Sequence, residues 1–485
     1  MHRYLSAWWL GLALVLSSCT PSAPDSAVHM GLAQAPVNLD PRMATDAASA
    51  RVNRLLYQAL VRFDAHARPQ PALADWQQLA SDHYRFHLLK PVPRFHDGSA
   101  MTAHDVVATY ESMLKPGASP LAAEFSHIRK VRAVDDDTVD FTLDAADPEF
   151  PARLIIGILP AHLIAAGHDF SRQPVGSGPL AFVSWRGPLV LQRWSDGQRY
   201  VLEEVKDPTV RVLKLVRGEI DLLAGDLPPE LLVYLQQQTA LKVEHTQGAN
   251  FSYLGFNLQD PLLANPKVRQ AIAHAIDRPA IVRLALVPDS RLAGAILPPE
   301  HWAGNASLTP YAHDPALARK LLQEAGVSLP LRLVYKTSTD AQRVRLATIL
   351  QAQMREAGIE LQIRSLDWGT FFDDIRQGHF QMYSLNWVGI RTPDIYRLAF
   401  HSASVPPLGA NRGRLHDAEL DALIDQRDWP AATQRIHALL PYVPLWYEGQ
   451  FVAMRRGLYH YTLAADGNWD GLITVTRNSK NDHAD

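Results

Sequence analysis

The segment from Leu331 to Leu385 leaves few architectures open. "LRLVY" (Leu331 to Tyr335) is rich in apolar and aromatic residues and reads as a strand. In the following "STDAQRVRLATILQAQMREAG", Val344, Ala347, Ile349, Leu350 and Met354 recur near helical spacing, and Gly358 is placed to end the helix. "IELQIRSL" alternates Ile359, Leu361 and Ile363, as a half-buried strand does. "WGTFFDDIRQG" predicts a short helix stopped near Gly378, and "FQMYSL" a third strand. Strand-helix-strand-helix-strand implies an α/β chain with a parallel sheet and right-handed crossovers. The loop opening at Asn386 then leaves the carboxyl end of a sheet strand, where open α/β sheets form their ligand crevices. That position makes Asn386, Trp387, Arg391 and Asp394 candidate ligand residues. The plainer alternative is that Trp387 and Pro393 only pack a connection.

Punctuation elsewhere is as regular. "NPKVRQAIAHAIDRPAIVRLAL" opens with Asn265 as N-cap and Pro266 at the first helical position, with Val268, Ile272 and Ile276 on one face. "DPALARKLLQEAG" repeats the device with Asp314, Pro315 and a terminal Gly326. "MTAHDVVATYESML" carries the Thr102-x-x-Asp105 start that precedes an apolar run. "IRKVRAVDDDTVDFTL" reads as a hairpin around Asp135-Asp136-Asp137, a solvated tip rather than a metal site. No repeat of fixed period is visible.

The amino terminus has the layout of a secretory signal. Arg3 is followed by an apolar run from Ala7 to Leu16 and by small residues. The run falls well short of the roughly 20 residues a spanning helix needs. Leu16-Ser17-Ser18-Cys19 looks like a bacterial lipobox, in which Cys19 is lipidated and becomes the first mature residue. Cys19 is the only Cys, so disulfides and Cys-based metal sites are excluded. "TPSAPDSAV" after it suits a flexible tether. Lys+Arg 47 against Asp+Glu 50 gives a net charge of −3, which argues against nucleic acid as partner.

Catalytic motifs are missing. There is no phosphate-binding Gly-x-x-x-x-Gly-Lys loop, no His-Glu-x-x-His and no Gly-x-Ser-x-Gly elbow. His379, His401 and His416 flank the suspected ligand loop, but their spacing fits no helical metal pair. The chain is read as a non-enzyme without metal or cofactor.

The motifs resemble those of the extracytoplasmic solute-binding proteins of ABC importers, in the dipeptide- and oligopeptide-binding family. The resemblance runs through "NLDPRMATDAASARVNRLLYQALVRFD", "YRFHLLKPVPRFHDGSAMTAHDVVATYESM", "PVGSGPL", "LVRGEIDLLAGDLPPELL", "YLGFNLQDPLLANPKVRQAIAHAIDR" and "DGNWDGL". It implies a bilobal α/β fold of the periplasmic-binding-protein type, hinged, with an extra subdomain inserted in the first lobe. Residues 1–19 would be signal and lipobox, and 20–28 tether. Residues 29–60, 174–257 and 448–485 would form the first lobe, 61–173 the extra subdomain and 258–447 the second lobe. The crossings are expected near Asn257 to Pro261 and near Glu448 to Phe451, with Tyr253 and Trp446 beside them. The implied role is a monomeric, lipid-anchored periplasmic receptor that captures short peptides for a permease in the cytoplasmic membrane. A non-peptide solute, and a sensor or chaperone of the same fold, are the alternatives.

Peptide-binding members carry a Trp-x-x-Asp pattern in the loop after this strand, its Asp pairing with the peptide's amino terminus. Here Trp387 is followed by Val388-Gly389-Ile390-Arg391, and the nearest carboxylate is Asp394. Arg391 either captures an anionic group of the solute or pairs with Asp394 or Asp373. Asn38, Asp40 and Arg42 lie in an early loop that the family places near the ligand. "PPLGANRGRL" adds Asn411, Arg412 and Arg414, which either face solvent or read an anion.

Overall fold

Two long strands, Leu241–Phe256 and Tyr442–Arg455, run through the middle of an eleven-stranded sheet in a computed structural model of the chain. The structure describes residues 26–477, apart from Ala65 and Pro116. The signal segment, Cys19 and most of the proposed tether lie outside the described residues.

On one side of the long pair come Met382–Trp387, Leu331–Ser338 and Ile359–Leu366. On the other come Leu222–Ala224, Val28–Leu32, Arg199–Glu204, Leu189–Arg193 and Leu180–Trp185. The expected parallel unit is present: Leu331–Ser338 pairs parallel with both Ile359–Leu366 and Met382–Trp387. The sheet as a whole is mixed, however, because Leu241–Phe256 enters antiparallel beside Met382–Trp387.

The long strands pair antiparallel along most of their length and shift register at two places, a one-residue slip between Ser252 and Tyr253 and a wider break nearby. Thr246 faces Gln450, and the next pairing is Asn250 with Glu448, so Gln247-Gly248-Ala249 bulge out of the ladder. Only a glycine fits the middle of this bulge, since a Cβ on Gly248 would lie 1.7 Å from the Glu448 carbonyl oxygen. Before the break the pair borders Leu222–Ala224, and beyond it borders Met382–Trp387. One sheet thus serves two α/β lobes.

Each lobe has its own cores. Val28, Met30, Tyr200, Leu222 and Met454 belong to the first lobe, with a second cluster under the helices Pro208–Arg217 and Pro229–Gln236. In the second lobe the long strand alternates between two cores, as period-two side chains must. Leu254 and Phe256 enter one with Leu331 and Leu350; Phe251 and Tyr253 enter the other with Leu385 and Trp429. A separate four-stranded antiparallel sheet within 74–143, covered by the helix Ala103–Leu114, encloses a further core.

The predicted caps form: Asn265 accepts from the Lys267 N–H, Asp314 from the Leu317 N–H, and Asp105 from the Thr102 N–H. The Asn265 segment is two helices, Pro266–His274 and Arg278–Ala285. Asp277 accepts from the Ala280 N–H and starts a new helix there. Asp367 and Gly378 delimit the helix Trp368–Gln377, with Gly378 at φ 85°.

Candidate functional site

At the break in the long pair, polar side chains from three neighbouring strands converge on one face. Asn250 and Ser252 lie opposite in phase to the buried Phe251 and Tyr253. The Ser252 hydroxyl lies 2.7 Å from Asn386 Oδ1 and 2.9 Å from Glu448 Oε1. Asn386 Nδ2 donates to the same Glu448 oxygen at 2.7 Å. Arg343, in the first turn of the helix Ala341–Glu356, donates to Asn386 Oδ1 at 2.9 Å and stands 3.8 Å from Glu448 Oε1. Asn250 Oδ1 accepts from the Gly389 N–H at 3.3 Å and so fixes the start of the loop after Trp387.

The C-terminal segment closes this floor on the first-lobe side. The Ala249 N–H in the bulge donates to the Ala465 carbonyl. Arg391 Nη2 meets Asp466 Oδ2 at 2.6 Å, and its guanidinium stands 5.5 Å from the Phe63 ring. The expected partners Asp394 and Asp373 are therefore replaced by a carboxylate from the far end of the chain. Asp394 is engaged elsewhere, 2.6 Å from Arg153 in the inserted subdomain. Burial, reinforced by Arg54, lowers the Arg391 pKa against the pull of Asp466. Burial would raise the Asp466 carboxyl, yet Arg391, the Asn468 amides and Arg54 hold it below its ordinary value. Arg54 in turn is paired with Asp470.

Trp387 ends its strand opposite Phe251, with the Arg412 guanidinium 4.7 Å from its ring. Arg412 also lies 5.4 Å from Phe372 and donates to the Tyr253 hydroxyl at 2.9 Å. No carboxylate pairs with it among the described residues. Asn411 is 1% exposed; its Nδ2 donates to the His401 and Leu415 carbonyls and its Oδ1 accepts from the Leu415 N–H, so its amide shapes its own loop. Arg414 likewise donates to the Arg412 carbonyl. Asp40 and Arg42 form a two-point pair, at 2.9 and 2.6 Å, and Arg42 also donates to Ser112. Asn38 accepts from the Asp40 N–H. Asn386, Trp387 and Arg391 thus come together at the crossing, while Asp40, Arg42 and Asn411 are bonded within their own neighbourhoods. Among the described residues no group of His, Cys, Asp and Glu could hold a metal ion.

Arg343, Ser252, Glu448 and Asp466 are site residues that sequence reasoning did not single out. One signal was available: Glu448 is the lone acid in the otherwise apolar run "YVPLWYEGQF".

Two α/β lobes meeting over a polar floor on paired crossing strands define a solute-binding protein rather than an enzyme. The chain belongs to the bacterial extracellular solute-binding proteins, family 5, whose model (described as "family 5 Middle") matches residues 68–405. It is 29% identical to the probable di/tripeptide-binding protein 5 of Pseudomonas aeruginosa, over 94% of this chain and 95% of that one. It is 26% identical to heme-binding protein A of Haemophilus influenzae, over 92% of each. Among solved structures, the ABC transporter substrate-binding protein CtaP of Listeria monocytogenes shares the fold with a TM-score of 0.82 at 23% identity, over 93% of this chain and 99% of that one. NikZ of Campylobacter jejuni, in complex with Ni(L-His), does so with a TM-score of 0.79 at 23% identity, over 94% and 100%. No helix among the described residues is long and apolar enough to cross a membrane.

Proposed function

We propose that this protein is a monomeric, lipid-anchored receptor of an ABC importer that captures short peptides between its lobes and delivers them to a membrane permease. The observation that carries the reading is the floor at the crossing: Ser252, Asn386, Glu448 and Arg343 form one hydrogen-bonded group where the lobes meet. The likeness to a di/tripeptide-binding protein over nearly the whole chain supports the peptide assignment. Trp387, Asn386 and Arg391 border the solute, and Asp394, Arg412, Asn411, Asp40 and Arg42 hold the surrounding loops. Closure turns on the 247–249 bulge and the facing stretch from Glu448 to Gln450. This moves the first crossing several residues before the stretch expected from the sequence. The remaining lobe and subdomain limits stay as the sequence implies, with Cys19 bearing the lipid.

The likeness to a heme-binding protein favours, as the second reading, the same receptor role for a non-peptide solute. Native mass spectrometry of the chain lacking residues 1–19, purified gently and then denatured, separates the two. Released masses that fragment as short peptides support the first reading; a single non-peptide solute overturns it. Labelling of intact cells with a radioactive fatty acid, lost in Cys19→Ala, tests the anchor.

A further inference from the structure

We infer that Glu448 is the residue that reads the solute's charge, and that the group it reads is an ammonium. The inference rests on the reading that the solute binds over the crossing. Glu448 stands on the second crossing strand beside the register break, where the two lobes share their floor. Its Oε1 accepts from the Asn386 amide, with the Ser252 hydroxyl 2.9 Å and Arg343 3.8 Å from the same oxygen. Its Oε2 has no partner among the described residues, and the side chain is 29% exposed. One oxygen thus fixes the carboxylate while the other keeps its lone pairs unused by the protein, an arrangement preorganised to accept a charged donor.

The surrounding charges favour a cation over an anion. Arg391 is committed to Asp466 and Arg54 to Asp470, while Arg343, the guanidinium within the floor, is engaged with Asn386 and stands 3.8 Å from Glu448 itself. Arg343 spends one arm on Asn386 Oδ1 and thereby turns the Asn386 amide toward Glu448. Asn250 and Gln450 flank the site with neutral amides. An ammonium placed at Oε2 finds a fixed acceptor, with Arg343 lying 3.8 Å from the other oxygen. The open acid therefore lies on the strand, not in the loop after Trp387, where Ile390 and Arg391 offer no carboxylate.

The test is native mass spectrometry and calorimetry on the mature chain with a defined panel: free dipeptides, the same dipeptides N-acetylated, simple alkyl amines, and dicarboxylates without an amine. The expected result is capture of free-amine compounds, at least tenfold discrimination against the acetylated forms, and at least tenfold weaker binding in Glu448→Gln at an unchanged melting temperature. Glu448→Asp, which keeps the charge but draws the open oxygen back, is expected to bind more weakly yet still prefer free amines. Capture of alkyl amines alone, lost in Glu448→Gln, upholds the role of Glu448 and overturns the peptide reading. Equal capture of free and acetylated dipeptides, or full affinity in Glu448→Gln, overturns the role of Glu448 and leaves the peptide reading standing. Capture of dicarboxylates alone, or of nothing on the panel, overturns the assignment to Glu448 as well.

Discussion

Arg391 and Asp466 meet at 2.6 Å although one follows the second-lobe strand Met382–Trp387 and the other lies in the C-terminal segment. Trp469, Leu472 and Val475, just beyond Asp466, belong to the first-lobe core. The pair is therefore an ion pair between lobes, and both side chains are largely shielded from solvent. A second tie holds the same loop a little further along, where Asp394 joins it to Arg153 of the inserted subdomain. The loop after Trp387 is thus fastened on two sides.

If Arg391 acts through Asp466, removing either partner opens the same contact. Arg391→Ala and Asp466→Asn are each expected to weaken solute binding about three- to tenfold, roughly 0.7–1.4 kcal/mol. The double variant should be no worse than the weaker single. Calorimetry with the recovered solute checks this. Losses that add would show instead that Arg391 touches the solute itself.

A second prediction concerns pH. Among the described residues, Asp147, Glu149 and Asp394 share two guanidiniums: Arg427 lies 3.0 Å from Asp147 and 2.9 Å from Glu149, while Arg153 lies 2.9 Å from Asp147 and 2.6 Å from Asp394. Burial, with Asp394 and Asp147 adding to it, outweighs Arg427 and pushes the Glu149 carboxyl up to about 7. The unfolded chain releases this proton near its ordinary value of 4.5. As pH rises between these values, the folded state holds a proton that the unfolded state has lost, so this group lowers stability, and the penalty is complete above about pH 7. A shift of that size corresponds to the order of 3 kcal/mol. Glu149→Gln should therefore raise the melting temperature more at pH 8 than at pH 5. An equal gain at both pH values in calorimetric scans would refute the account.

Arg412 supports a third prediction. Held between Trp387 and Phe372 and bonded to Tyr253, it serves the packing under the floor. Arg412→Gln should cost about 1–3 kcal/mol of stability while changing solute affinity less than about threefold. A tenfold loss of affinity at unchanged melting temperature would make Arg412 a direct reader of the solute.

Gly248→Ala is a test of the bulge. The added Cβ would meet the Glu448 carbonyl oxygen, which is backbone and cannot swing aside. Destabilisation of about 1–3 kcal/mol is expected, with weaker solute binding, because Glu448 itself must shift. Unchanged melting and affinity would mean that the break relaxes freely.

The segment Leu331 to Trp387 was legible because its periods are clean: two for the strands, about 3.6 for the helix between them. The crossing strands were not. In "LKVEHTQGANFSYLGF" the bulge at 247–249 resets the alternation, so no single phase describes the strand. "YVPLWYEGQF" is buried on both faces over most of its length and alternates only at its end, from Glu448 to Phe451. Trp387 and Asn386 were found from their place at a strand end. The partner of Arg391 was not, since it lies 75 residues further along the chain. Asn411 stood in a loop of promising composition, but composition does not reveal that an amide is already fully bonded.

The shared sheet restricts how this protein can be taken apart. A cut that isolates either lobe removes half of both central strands and bares two ladder edges at once. Neither lobe is therefore a self-sufficient module, and a chimera that exchanges lobes with a relative must carry both crossing strands together as one matched ribbon.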